Sequence, residues 1–174
     1  MALRMEKLQP RWHGERKPGS KINTIVIHYV SGCDSHIKHE KDNKYDPLVI
    51  MGILNRYKGS YHYLLGRDGT VYANIPHQRR AYHAGESILH GDLDLNHCSL
   101  GLSLIGERAV AFTKEQIDSL VELVVELRKQ YAIPLNRIVG HDQVAWNRKH
   151  PKVDPGPLFP WLSFLDRVGA WQKG

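Results

Sequence analysis

Residues 22–30, INTIVIHYV, form an almost unbroken run of β-branched and apolar side chains between polar segments. Such a run predicts a strand covered on both faces. His28 interrupts it near its C-terminal end. Residues 99–105, SLGLSLI, alternate Leu100, Leu102 and Leu104 with small residues, and this period of two predicts a second strand. Between them, YHYLL (61–65) and TVYAN (70–74) flank the turn signal Arg67-Asp68-Gly69, which predicts a hairpin. The period then changes. Ile117, Leu120, Val121, Val124 and Leu127 recur at helical spacing, and Thr113 with Gln116 makes a capping box, so a helix is expected as far as about Tyr131. Pro134 stops it. Residues 137–139 read as a short strand running into Gly140-His141. Trp161, Phe164, Leu165 and Val168 share one face of a closing helix.

Asp46-Pro47 adds another helix start, with Asp as N-cap and Pro at the first helical position, and Lys58-Gly59 ends it. Its apolar stripe has two registers: Leu48, Met51 and Leu54, or Leu48, Val49 and Ile53. Residues 1–20 read as an irregular arm, and residues 31–45, containing HIKHEKDNK, as a solvated loop. Residues 75–97 and 144–157 read as irregular. The order strand, helix, hairpin, loop, strand, helix, strand, helix predicts an α/β fold. It would be a single domain over residues 21–174, with a central mixed β-sheet flanked by helices.

Composition narrows the function classes. Lys+Arg is 24 and Asp+Glu is 18, so the formal charge is 24 − 18 = +6. That favours an anionic partner: nucleic acid, a membrane surface or an anionic cell wall. No recognition helix or aromatic platform supports nucleic acid. No apolar run is long enough to cross a membrane, and the first twenty residues lack a signal-peptide core. Cys33 and Cys98 form no C-x-x-C pair, which excludes a cysteine-based structural zinc site and leaves a single disulfide or two thiols open. Histidine is abundant at 11 residues, and histidine is the commonest side-chain metal ligand.

A catalytic zinc site needs about three protein ligands and one open position. Strand ends aim such ligands into a cleft. His28 ends a buried strand, His141 follows another, and Asp154 lies in a Pro/Gly-rich loop able to wrap back. On the residues alone, a histidine hydrogen-bonded into the core is the competing reading for His28.

Several blocks occur in a telling order: IVIHYV, SYHYLLGRDGTVY, YHAG, SLGLSLIG, TKEQIDSLVELVVEL, IPLNRIVGHDQVA and KVDPGPLF. Through them the chain resembles the type-2 N-acetylmuramoyl-L-alanine amidase family over roughly residues 22–165. That family includes phage lysozyme-amidases and cytosolic muropeptide amidases, and shares its fold with peptidoglycan recognition proteins. The resemblance implies Zn2+ held by His28, His141 and Asp154. It implies Tyr61 beside the attacking water and Lys152 stabilising the oxyanion, as catalytic residues. It also implies that His83, together with His62, lines the substrate cleft. Zinc brings bound water to a pKa near 7 and polarises the scissile carbonyl, and a tetrahedral oxyanion needs a cation or donors aimed at it.

Two departures stand out. Ser103 occupies the position where cytosolic muropeptide amidases carry a glutamate, which points to the phage-type arrangement with Tyr61. The interval from His141 to Asp154, 154 − 141 = 13 residues, is longer than the pattern expects, which brings His150 in as a rival ligand. The resemblance therefore implies an amidase cutting peptidoglycan between the lactyl group of N-acetylmuramic acid and L-alanine, as a monomeric phage or prophage endolysin. Such a protein is made in the cytoplasm and released through a holin-type lesion. The rivals are a cytosolic muropeptide-recycling amidase and a non-catalytic peptidoglycan-binding module. Nucleic acid and membrane insertion are not expected.

Overall fold

The computed structural model describes residues 3–33, 35–146, 149 and 151–170. Ten strands occur among them: β1 (Met5–Glu6), β2 (Gly14–Glu15), β3 (Thr24–Val30), β4 (Tyr63–Leu65), β5 (Val71–Ala73), β6 (Arg79–Arg80), β7 (Ile88–Leu89), β8 (Asp92–Leu93), β9 (Ser99–Ile105) and β10 (Ile138–Gly140). The helices are α1 (Lys38–Asp42), α2 (Pro47–Arg56), α3 (Lys114–Tyr131), α4 (His141–Val144) and α5 (Trp161–Ala170). Six strands form the central sheet in the order β1-β5-β4-β9-β3-β10, mixed because only the β4–β5 hairpin pairs antiparallel. The expected α/β architecture, a central mixed sheet flanked by helices, is the architecture found.

Alternation along the two central strands divides the sheet into two unlike faces. Ile25, Ile27, Leu100, Leu102 and Leu104 point to one face and pack with Leu120, Val124, Phe164 and Val168 of α3 and α5 in the main core. Strand register pairs His28 with Ser103, so both side chains project to the opposite face. Gly101 and Val26 lie on that face too. One face of β3 and β9 therefore makes the core, and the other makes the site. Replacing Phe164, fully buried against Phe159 and Trp161, by alanine is expected to cost about 3–5 kcal/mol, read as a lowered urea midpoint at unchanged slope.

The expected capping box holds: Thr113 Oγ1 accepts from the Gln116 N–H and Gln116 Oε1 accepts from the Thr113 N–H. Asp46 likewise caps α2 through the Leu48 and Val49 N–H groups. The stripe of α2 buries Met51, Ile53 and Leu54 as expected but departs from both registers at Leu48. Leu48 is 69% exposed, and Ile50, Ile53 and Leu54 turn inward against Leu64 and Ile105. The segment expected as a solvated loop contains α1, because buried Glu40 takes a paired contact from Arg56, at 2.6 Å to each oxygen, and pins this turn to α2.

The N-terminal arm is not irregular throughout. β1 pairs with β5, and β2 pairs with β6. Arg16 then donates to the carbonyls of His77, Asn96, His97 and Ser99, lacing the arm to the long 75–97 segment. That segment carries β6, the β7–β8 hairpin and a 3-10 turn at Leu95–His97. No disulfide joins Cys33 and Cys98. No helix among the described residues is long and apolar enough to cross a membrane.

Candidate metal centre

Two adjacent parallel strands carry two of the three candidate ligands. β3 ends beyond His28, and β10 ends at Gly140 so that His141 opens α4. His28 is fully buried and His141 nearly so, and their ring centroids lie 4.6 Å apart. Asp154 comes from the loop before α5. Its backbone carbonyl accepts from the Asp142 N–H at 3.0 Å, which clamps the loop to the start of α4. Gly140 makes this approach feasible: a Cβ there would fall 2.7 Å from Pro155 Cδ and 2.3 Å from Asp142 Oδ1.

The three side chains converge. Asp154 Oδ2 lies 2.8 Å from His28 Nδ1 and 3.1 Å from His141 Nδ1. One donor atom from each residue falls within 4.8 Å of the others, a set that could hold a metal ion. The far side of each ring is engaged as well. His141 Nε2 donates to the Ala84 carbonyl at 3.2 Å, and His28 Nε2 meets His83 Nδ1 at 3.1 Å. Metal-binding imidazoles characteristically spend their second nitrogen in this way. His150, the rival ligand, lies outside the described residues.

Electrostatics follow from burial. Desolvation lowers His28 to about 4 despite the Asp154 carboxylate beside it, so the imidazole is neutral, as a ligand must be. Burial alone would raise the Asp154 carboxyl, but the close approach of His141 and His28 outweighs it and holds the group well below the usual carboxylate range. Tyr61 stacks its ring at a tilt 4.9 Å from His28. Burial and then the Asp154 charge push its phenol above its usual value, so it stays protonated and able to donate. Ser103 Oγ is fully buried on the same face and makes no hydrogen bond, and the Tyr61 phenol approaches it without reaching hydrogen-bond geometry. A buried orphan hydroxyl beside three converging ligands is room left for a polar guest.

Lys152 is exposed on a surface cleft of about 480 Å3 lined also by Arg108, Asp142, Gln143, Gly156 and Trp161. Its positive charge reaches His28. His62 and His83, which the resemblance placed along the cleft, are both buried, at 0% and 6% exposure. His62 accepts from the Gly101 N–H on Nδ1 and contacts the Arg79 carbonyl through Nε2; burial, with Arg16 beside it, lowers its pKa to about 3. His83 lies behind His28. Ser99 Oγ meets the other ring nitrogen of His83, Nε2, at 3.1 Å. Gly101, a glycine inside a buried strand, was the available sign of a close approach there.

The family model for N-acetylmuramoyl-L-alanine amidase matches residues 18–157. Among curated proteins, the 1,6-anhydro-N-acetylmuramyl-L-alanine amidase AmpD of Haemophilus influenzae is 31% identical over 167 residues, covering 90% of this chain and 88% of that protein. The N-acetylmuramoyl-L-alanine amidase AmiD of Escherichia coli is 30% identical over 163 residues, covering 87% of this chain and 55% of that protein. The fold superposes on an AmpD crystal structure with a TM-score of 0.76 at 24% identity, covering 97% of this chain and 99% of that one. It also superposes on the endolysin LysCS of Clostridium intestinale with a TM-score of 0.67 at 20% identity, covering 95% of each. The chain belongs to the N-acetylmuramoyl-L-alanine amidase family and is an amidase of that family.

Proposed function

We propose that this chain is a zinc-dependent N-acetylmuramoyl-L-alanine amidase, hydrolysing the amide between the muramic acid lactyl group and L-alanine. The observation that carries the reading is the convergence of His28, His141 and Asp154 with the second nitrogen of each imidazole already hydrogen-bonded. Two neutral imidazoles and one carboxylate are a donor set suited to zinc at a catalytic site. Bound zinc supplies Lewis acidity, which makes water a competent nucleophile near neutral pH and polarises the amide carbonyl.

The chain's own residues do the rest. Tyr61, protonated and against His28, orients the attacking water or donates to the developing oxyanion. Lys152 on the surface cleft offers that oxyanion a positive charge. Ser103 Oγ, buried and without a partner, offers a further polar contact to the water. His62 and His83 support the site from behind.

Two substrate forms have support. Action on intact wall, as a monomeric phage or prophage endolysin released through a holin-type lesion, draws on Ser103 in place of a general-base carboxylate and on the net charge of +6. Action on soluble fragments draws on curated relatives named for a 1,6-anhydro substrate. The experiment supplies purified, zinc-loaded protein with intact sacculi and with anhydromuramyl peptides in parallel, and follows the released stem peptides. Release from both is expected, faster from sacculi. Release from anhydromuramyl peptides alone transfers the assignment to recycling, and release from neither removes the amidase assignment.

A further inference from the structure

His83 and Ala84 are consecutive residues, and each meets the far side of a different imidazole ligand. Both of their backbone N–H groups donate to Asn96 Oδ1 at 2.9 Å, which fixes the dipeptide behind the cluster. His141 Nε2 must donate to the Ala84 carbonyl, because a carbonyl only accepts. His28 is less simple, since its partner is another imidazole whose protonated nitrogen has to be deduced.

Ser99 Oγ donates its single proton to the Leu95 carbonyl at 2.6 Å. Toward His83 Nε2, 3.1 Å away, Ser99 can then only accept, so His83 carries its proton on Nε2. Both rings are buried, where a charged imidazole is costly, so each holds one proton. His83 Nδ1 is therefore bare and must accept from His28 Nε2–H. His28 Nδ1 is then left without a proton, and it is the nitrogen facing Asp154 Oδ2 and the cluster. The His83 ring cannot turn over cheaply. It presses on Gly101, where a Cβ would lie 2.4–2.7 Å from Cγ, Cδ2 and Nδ1 of that ring.

We infer that His83 is a positioning residue: through the relay Leu95 carbonyl, Ser99 and His83, the fold presents Nδ1 of His28 to a metal ion as a bare lone pair. The inference rests on the zinc reading above. It assigns His83 to the metal site from behind, with no direct contact to substrate.

The test uses the full chain loaded with zinc and labelled with 15N-histidine. Long-range 1H–15N spectra should show His83 protonated on Nε2 and bare on Nδ1; a proton on His83 Nδ1 would overturn the assignment. Zinc affinity is then measured by chelator competition. His83→Phe keeps the ring shape and removes the acceptor, and should weaken zinc binding by about 10–100-fold. His83→Asn, whose amide oxygen can stand in for Nδ1, should recover most of that loss. If His83→Phe does not fold, Ser99→Ala tests the same relay from its other end and should weaken zinc in the same direction. Wild-type affinity in whichever variant folds defeats the role of His83 alone. Wild-type protein that takes up no zinc defeats the zinc reading, and this inference with it.

Discussion

An Asp154→Ala variant is expected to purify folded, to carry no zinc, and to hydrolyse muramoyl-L-alanine amides at the background rate. Asp154 Oδ2 is the atom on which His28 Nδ1 and His141 Nδ1 converge, at 2.8 and 3.1 Å, so its removal takes away one ligand and leaves two. A catalytic zinc site with three protein ligands does not hold its ion securely on two. Folding should survive, because the side chain lies at the edge of the site and belongs to none of the apolar clusters. The measurement is metal content by atomic emission beside circular dichroism and peptide release. The parallel variant His150→Ala should keep both zinc and activity. If His150→Ala loses the metal and Asp154→Ala retains it, the third ligand is His150.

The second large effect is expected at Lys152. Lys152→Ala should keep one zinc per chain and lower kcat by about 10²–10³-fold, the range typical for removal of one oxyanion-stabilising group, with a smaller change in KM. Lys152 is exposed on the cleft beside Arg108 and Trp161, so its loss leaves no cavity and the comparison reads chemistry rather than stability. An unchanged kcat would remove Lys152 from the mechanism and direct attention to Arg108 on the same cleft.

Most of the architecture was legible where the hydrophobic period was strong. β3, β9 and α3 fall close to their expected bounds, because a seven-residue buried strand and an 18-residue amphipathic helix carry unmistakable patterns. The misreadings share a cause. α1 forms in a polar stretch because one ion pair, Glu40 with the more exposed Arg56, holds it, and a pair so far apart in sequence leaves no local period. β1, β2 and β6 are two residues long, too short for alternation to register. Leu48 broke the expected stripe of α2 because an apolar residue in the first turn can face solvent while Ile50, Ile53 and Leu54 meet the sheet.

The site divides in the same way. His28 was visible as the polar residue in an apolar strand, but its physics alone left a buried core histidine as the competing reading. Only the contact with Asp154, 126 residues away, separates them. The backing of the ligands was not legible. Ser99, the Leu95 carbonyl and the Ala84 carbonyl act through one hydroxyl and two backbone oxygens, which no residue pattern announces.

One proposed ligand stands on a strand and another just past the end of its neighbour, in a sheet whose hydrogen bonds owe nothing to metal, and the third arrives on a loop seated against Gly140. A fold of this kind does not need an ion in order to exist, unlike small zinc modules that unfold without one. Scarcity of metal would therefore leave an intact protein in waiting. Its activity would follow the local supply of zinc reversibly, with no cycle of unfolding and renewed synthesis between the idle and the working state.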